Sequence, residues 1–207
     1  MGRILVAVDI ESTGALFSHP VNSIGFTVGD MNGNVLERKK FNIAVKWFKM
    51  TDGKMDYGDF EPRCVDEFWS QLSPEIISRN FTPEPEKPEY AWKNIASWIN
   101  CLELKYPLLE GEKSWEKFIF VSNNASFDIA KINYGLEKYA NRLPIRFSTT
   151  KKYRNVISAD DMLDMLPKEK YEEVMSRINS MSIHDHDCLN DSHNIYLQGV
   201  EALKHRR

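Results

Sequence analysis

Apolar runs and helical spacing along the chain predict a protein that contains both strands and helices. Residues 3–8 are apolar after one arginine and predict a buried strand, and residues 118–122 predict a second one. Beyond residue 127 the apolar side chains recur at three- and four-residue spacing, as in a helix packed on one face. The predicted strands are 3–9, 22–30, 34–46, 118–122 and 155–159, and the predicted helices are 61–72, 88–104, 127–140, 168–180 and 188–204.

The segment between residues 47 and 90 departs from this alternation. Residues 51–60 are rich in Gly and Asp and predict a mobile loop, while three prolines within residues 83–88 exclude regular helix or strand there. Between them lies an apolar stripe at helical spacing, made of Val65, Phe68, Trp69 and Leu72. Core packing is the ordinary role of such a stripe, and a border of a binding cleft is the alternative.

Two carboxylates end the first predicted strand. Asp9 and Glu11 are two residues apart, so they point to the same face of an extended backbone. Side by side they repel each other, and burying them without a partner costs free energy. A divalent cation would resolve both problems, and oxygen ligands suit Mg²⁺ or Mn²⁺. This segment alone also permits a strand that ends in solvated acids before a turn.

Two further acids stand near the starts of predicted helices. Asp128 follows the strand 118–122, and the dipole of the helix that begins there favours a carboxylate. That favourable end effect would by itself account for Asp128. Near the C-terminus, His186 precedes Asp191 by five residues. A histidine at a helix entrance and an aspartate one turn inside the helix can converge on one site.

Taken in order, these segments resemble the three motifs of the DEDDh branch of the DEDD exonucleases. That branch holds the proofreading subunits of DNA polymerases, oligoribonuclease and related trimming nucleases. The motifs are Asp-x-Glu followed by Thr-Gly, then Asn-x-x-x-Phe-Asp, then His-x-x-x-x-Asp, and the resemblance spans residues 4 to about 204. The matching residues are Asp9, Glu11, Thr13 and Gly14; Asn124, Phe127 and Asp128; and His186 and Asp191.

Two positions depart from the family pattern. Asn123 stands where the family often has a His before the second motif, and Cys188 stands where a small residue is usual two positions after the His of the third. A second histidine, His184, precedes Leu189 by five residues, and leucine cannot be a ligand. The register therefore favours His186 as the histidine of the motif.

The resemblance implies a ribonuclease H-like fold, a mixed β-sheet flanked by α-helices on both faces. Residues 1–207 would form a single exonuclease domain, with an insertion or elaborated region at about 47–90. The implied activity is 3′–5′ hydrolysis of single-stranded DNA or RNA, which releases nucleoside 5′-monophosphates. Two Mg²⁺ or Mn²⁺ ions would be held by the four acids of the motifs, Asp9, Glu11, Asp128 and Asp191. His186 would take the proton from the attacking water.

The resemblance also implies residues that contact the substrate. Phe68 and Trp69, followed by Gln71, are similar to a helix of some phage-type exonucleases of this superfamily, where it lies near the first motif. Trp69 would then border the substrate cleft. The other residues expected to bind substrate near the motifs are Ile10, Thr13, Gly14, Asn124 and Phe127.

The charge of the chain is unevenly distributed. A net charge of −3 argues against broad, charge-driven binding of nucleic acid. Residues 141–155, however, contain five basic residues and no acid. A solvated surface explains such a run, and so does a track for the phosphates of a single strand. On the second reading Lys151 and Lys152 bind substrate.

Composition and cysteine usage limit the compartment and the partners. The three cysteines form no Cys-x-x-Cys pair, which favours a reducing compartment without a zinc site. No signal peptide or membrane span is predicted, so the expected location is the cytoplasm. The sequence leaves open a homodimer or a protein partner.

Two other classes of function remain compatible with parts of the sequence. A metal-dependent phosphohydrolase of the His-Asp type would use the pairs His184-Asp185 and His186-Asp187. Such enzymes are entirely helical, and that reading leaves Asp9 and Glu11 unexplained. A non-catalytic nucleic-acid-binding module on the same fold is the second alternative. It would typically lack one of the acids or the histidine.

Overall fold

The computed structural model describes residues 2–80, 84–107, 110–111, 117–141, 156–181 and 185–205. Its centre is a mixed sheet of five strands in the order β3-β2-β1-β6-β7. The pairs β1–β2 and β2–β3 are antiparallel, whereas β1–β6 and β6–β7 are parallel. The strands are β1 Ile4–Ser12, β2 Val21–Asp30, β3 Val35–Asn42, β6 Phe118–Ser122 and β7 Val156–Ser158, and a separate hairpin consists of β4 Lys49–Thr51 and β5 Lys54–Asp56.

Seven α-helices lie within the described ranges, and they cover the sheet on both sides. They are α1 Pro62–Glu67, α2 Pro74–Asn80, α3 Pro88–Lys105, α4 Asp128–Ala140, α5 Ala159–Leu163, α6 Lys168–Met181 and α7 Cys188–Lys204. A 3₁₀ turn at Trp69–Gln71 follows α1. None of the helices described is both long and apolar enough to cross a membrane.

Strand β1 is buried on both of its faces because successive side chains alternate between two cores. Ile4, Val6 and Val8 pack with α3 and α4, whereas Leu5 and Ala7 pack with α7. This explains the uninterrupted apolar run that precedes the acids. It also means that the odd-numbered positions 9 and 11 continue the face of the sheet that α7 covers.

A close approach between α7 and the sheet occurs beside the acids. Gly25 of β2 pairs with Asp9 of β1. A Cβ atom at Gly25 would lie 1.9 Å from the carbonyl oxygen of Cys188, the first residue of α7. The missing side chain thus lets the start of α7 rest directly on the β1–β2 pair. The same contact brings the beginning of α7 next to Asp9.

The main strands and long helices agree with the sequence prediction, and the differences fall mostly in the segment 47–90. The hairpin β4–β5, which begins at Lys49, overlaps the predicted mobile loop at 51–60, and the predicted helix 61–72 ends at Glu67. Helices α2 and α5 were not predicted. Pro88 is the first residue of α3. A backbone N–H at this position has no partner within the helix, so a proline here costs no hydrogen bond.

A small aromatic core explains why the segment around residue 60 is ordered. Phe60, Val65 and Trp69 are buried together, with Trp47 and other partly buried apolar side chains packed around them. The ring centroids of Trp47 and Phe60 lie 4.8 Å apart, and those of Phe60 and Trp69 lie 5.5 Å apart. The aromatic residues that make these contacts are far apart in the sequence, so the local content of Gly and Asp does not reveal them.

Replacing Gly25 by alanine should disrupt the contact between α7 and the sheet. The clashing oxygen of Cys188 belongs to the backbone and cannot rotate away. We expect Gly25→Ala to lower the free energy of unfolding by about 1–3 kcal/mol, the usual range for overpacking an interior. Urea unfolding measures this. Gly2→Ala, where no atom lies within 4 Å, is the control and should change little. Equal stability of both variants would contradict this packing.

Candidate active site

The end of β1 presents two carboxylates to the face of the sheet that α7 covers. Glu11 is buried, and Asp9 is half-buried. Ser12 is the last residue of β1, and its main-chain oxygen accepts a hydrogen bond from Trp69 Nε1 at 3.3 Å. The strand end is therefore tied to the aromatic core behind it, and Asp9 and Glu11 project from a rigid element.

The start of α7 supplies the third acid and the histidine. Asp187 caps this helix, because its Oδ1 accepts a hydrogen bond from Leu189 N at 2.9 Å. Asp191 lies one turn inside and is buried, and His186 immediately precedes the cap. One ligand atom from each of Glu11, His186 and Asp191 can be chosen so that all three lie within 4.8 Å of one another.

Asp128 reaches the same edge of the sheet from another direction. It is buried at the first position of α4, which follows β6, and β6 runs parallel to β1. The carboxyl ends of parallel neighbours meet at one edge. The turn before Asp128 is held by Asn124, whose main-chain oxygen accepts hydrogen bonds from Phe127 N and Asp128 N, each at 2.9 Å.

Burial raises the pKa of three of the acids, Asp9, Glu11 and Asp128, and repulsion from neighbouring carboxylates adds to it. Burial first, and then the charges of Glu11 and Asp128, raise the pKa of Asp9 well above its usual range. Burial and the charge of Asp191 do the same for the pKa of Glu11. Burial raises the pKa of Asp128 to about 7. Each effect disfavours the ionised form, and a nearby cation would reverse it.

The donor set fits Mg²⁺ or Mn²⁺. Carboxylate oxygens are the ligands that these hard cations prefer, and one imidazole nitrogen is compatible with Mn²⁺. The close cluster of Glu11, His186 and Asp191 does not include Asp9 or Asp128. The charge of Asp128 raises the pKa of both Asp9 and Glu11, and the charge of Glu11 raises the pKa of Asp9, so both acids lie at the same site. The grouping is therefore one compact cluster with two acids beside it.

A cleft of about 510 Å³ opens next to Glu11. Three of the predicted substrate-binding residues, Ile10, Gly14 and Phe127, line it. Phe68 also lines it, and the Phe68 ring lies 5.2 Å from the ring of His186, centroid to centroid. An aromatic ring therefore lies directly beside the cluster.

Trp69 is predicted to border the cleft, but its side chain is fully buried. The turn that follows α1 directs Trp69 into the aromatic core and leaves the preceding Phe68 facing His186. The sequence spacing places both rings in one apolar stripe, but it does not show which ring points into the core and which into the cleft. Phe68 is thus the cleft residue that sequence reasoning missed.

The other predicted substrate contacts have different outcomes. Thr13 is fully buried. Its N–H donates a hydrogen bond to Pro20 O, and its carbonyl oxygen accepts one from Glu61 N. Asn124 is exposed, and its Oδ1 accepts hydrogen bonds from Ser126 Oγ and Phe127 N within its own turn. Lys151, Lys152 and the competing His184 lie outside the described residues.

Lys131 anchors the loop that follows the first motif. Its Nζ donates hydrogen bonds to the main-chain oxygens of Gly14 and Leu16 at 2.7 Å and of His19 at 3.2 Å. Burial lowers the pKa of Lys131 to about 8. This side chain ties α4, which begins with Asp128, to the loop that forms one wall of the cleft.

No family model matches the sequence, and no curated protein matches it. Solved structures do. Exonuclease I with bound product superposes with a TM-score of 0.58 at 14% identity, over 100% of this chain and 44% of that one. Cell-death related nuclease 4, CRN-4, gives 0.54 at 17% identity, over 98% of this chain and 64% of that one. S. pombe Pop2p, in its Mg²⁺- and Mn²⁺-bound form, gives 0.54 at 12% identity, over 97% and 83%.

These likenesses confirm the predicted fold, a ribonuclease H-like mixed sheet with helices on both faces. The chain spans less than half the length of the exonuclease I chain that it matches, at 44%. At such low identity the likeness carries the fold alone. The chemistry has to be argued from the residues of the site.

Without a divalent cation, the protein should lose stability as the pH rises from about 4 to about 7. The ordinary pKa of Asp128 is 3.8, and its folded pKa is about 7. The folded state therefore holds an extra proton in this window, and the resulting stabilisation is lost as the pH rises through the folded pKa. Thermal unfolding in a chelator should show a falling midpoint.

Two additional measurements make the pH test specific. Asp128→Asn removes one of the titrating groups and should flatten the pH dependence. Mn²⁺ should raise the midpoint of the unchanged protein more at about pH 8 than at about pH 5, because it binds ionised carboxylates. A midpoint that rises with pH across this window in the chelator, equally in both proteins, would contradict the raised pKa.

Proposed function

We propose that the chain is a metal-dependent 3′–5′ exonuclease of the DEDDh type that hydrolyses single-stranded nucleic acid to nucleoside 5′-monophosphates. The observation that carries the proposal is the convergence of Glu11, His186 and Asp191 within 4.8 Å, with Asp9 and Asp128 beside them. All five residues come from three separate segments of the chain. Residues 1–207 act as one exonuclease domain in this proposal.

Each residue of the cluster has a role that follows from its chemistry. Asp9, Glu11, Asp128 and Asp191 would hold one or two Mg²⁺ or Mn²⁺ ions. Bound there, the cations would supply charge neutralisation for the phosphate and acidity for the attacking water. His186 accepts the proton of that water at a ring nitrogen. The half-exposed position of His186 at the loop leaves it able to pass the proton on to solvent.

The cleft supports a single strand as the substrate. Phe68 and Phe127 offer aromatic faces on which bases stack whatever their sequence, and Ile10 and Gly14 leave room beside them. E. coli exonuclease I was solved with a dT13 oligonucleotide, and Pop2p was solved with Mg²⁺ and Mn²⁺. That proteins of similar fold bind such ligands supports the proposed substrate and cations. Lys151 and Lys152 as a phosphate track remain a prediction.

The alternatives account for less of the structure. A His-Asp phosphohydrolase is entirely helical, and a five-stranded sheet excludes that fold. A non-catalytic module would not need four acids so close together that their charges raise the pKa of Asp9 and Glu11. The reducing compartment expected from the three cysteines stays a prediction. The cytoplasmic location itself stays a prediction.

A 5′-labelled single strand tests the activity and its direction. With Mg²⁺ or Mn²⁺ we expect a descending ladder of products, and with a chelator we expect none. Asp191→Asn is the control, because it removes one ligand and should abolish the ladder. Release of the labelled mononucleotide at the outset would mean attack from the 5′ end. Cleavage of a circular single strand would mean an endonuclease.

Replacing the histidine tests the proposed base. We expect His186→Ala to lower kcat by roughly 10²–10⁴-fold, the usual contribution of general acid–base catalysis. His184→Ala, two residues earlier, is the matched control and should lose far less. Turnover of the labelled strand under saturating Mn²⁺ measures both. A larger loss from the His184 variant would show that the wrong histidine had been assigned.

A further inference from the structure

The short loop 185–187 places His186 in an uncommon backbone conformation. The φ angle of His186 is 55°, in the left-handed region that residues other than glycine seldom adopt. Such a conformation persists only where the surrounding structure holds it. The direction of the His186 side chain toward Glu11 and Asp191 depends on that backbone, so the contacts that hold the loop matter for the site.

Asn80, the last residue of α2, holds the main chain of His186. Its side chain is buried, and its Nδ2 donates a hydrogen bond to His186 O at 3.1 Å. Its Oδ1 accepts a hydrogen bond from Ser23 Oγ of β2 at 3.3 Å. A single amide thus joins the sheet to the loop. The two bonded residues lie 106 positions apart in the sequence.

The residues on either side of His186 are held by the same part of the structure. Arg79, next to Asn80, forms an ion pair with Asp185 at 2.5 Å. Lys40 of β3 lies 3.1 Å from Asp187 through its Nζ, and the same Nζ donates to the main-chain oxygen of Arg79 at 3.4 Å. Each of the three loop residues therefore has a partner at or beside the C-terminal end of α2.

The contacts differ in how strongly they can act. The ion pair between Arg79 and Asp185 has a half-exposed arginine, and exposed pairs contribute little. The bond from Asn80 is buried, and its loss would leave the carbonyl of His186 without that donor. Phe68, from the same elaborated segment, packs against the imidazole at 5.2 Å between ring centroids. Asn80 fixes the main chain, and Phe68 limits the ring.

We propose that the C-terminal end of α2 is a clamp that positions the general base, with Asn80 as the positioning residue. Asn80 contacts the main chain of His186 and no reacting atom, so it acts on catalysis only through the imidazole. The inference rests on the proposed role of His186. It assigns a function to the segment 47–90, which supplies α2 and Phe68.

Asn80→Ala tests the clamp. We expect kcat to fall roughly 10–100-fold, the range for losing a partner that orients an active-site ligand. KM for the strand and the affinity for Mn²⁺, measured by calorimetry, should stay within about twofold, because the acids keep their own anchors in β1, α4 and α7. Ser78→Ala on the same helix is the matched control. Among the described residues its hydroxyl bonds only Glu75 O, and kcat should not change.

Arg79→Ala is a second test of the clamp, and this substitution does not create a cavity in the interior. It removes the partner of Asp185 at a half-exposed position, so folding should be preserved. We expect a smaller fall in kcat, of about twofold to fivefold, in keeping with an exposed ion pair. A fall in Mn²⁺ affinity equal to the fall in kcat, for either variant, would mean that α2 supports the metal site as a whole and would overturn the assigned role.

Combining Asn80→Ala with His186→Ala shows whether Asn80 acts through the imidazole. In the His186→Ala background the second substitution should change kcat by less than about twofold, because residues that act as a unit are not additive. The same loss in both backgrounds, or no loss in the unchanged background, would overturn the clamp. An inactive unchanged protein, or a fully active His186→Ala variant, would overturn the proposed function and the clamp with it.

Discussion

The site depends on the burial of β1 on both faces. Its even-numbered side chains pack with α3 and α4 and its odd-numbered ones with α7, so the acids at positions 9 and 11 meet the start of α7. Parallel pairing with β6 brings Asp128 to the same edge. Gly25 allows α7 to lie close enough for this to happen. Packing of two apolar cores therefore forces together carboxylates that repel each other.

That repulsion is the property on which the proposed chemistry relies. Burial raises the pKa of Asp9, Glu11 and Asp128, and their mutual charges add to the effect for Asp9 and Glu11. Stabilising interactions elsewhere in the fold must offset this electrostatic penalty. A site that is unfavourable without a cation gains most when one binds, because the cation screens the repulsion and its coordination offsets the loss of hydration. Stability and cation affinity are thus opposed at the same residues.

The elaborated segment 47–90 is coupled to the site at two points. Its aromatic core reaches the end of β1 through the bond from Trp69 to Ser12, and its helix α2 reaches the loop before α7 through Asn80 and Arg79. Phe68, between these contacts, faces the imidazole. The segment therefore acts as a support behind and beside the acids, in addition to lining the cleft.

The sequence alone determined the elements that repeat a local pattern: the buried central strands, the long helices and the spacing of the acids. Alternation along an extended chain is enough to place Asp9 and Glu11 on one face. The five-residue spacing across a helix entrance is enough to predict that His186 and Asp191 belong to one site. Only the tertiary structure decided which of Phe68 and Trp69 enters the cleft, that Thr13 is buried, and that Asn80 holds His186. These outcomes depend on contacts between residues that are far apart in the sequence. A local pattern of apolar residues does not show against which distant residue a side chain packs.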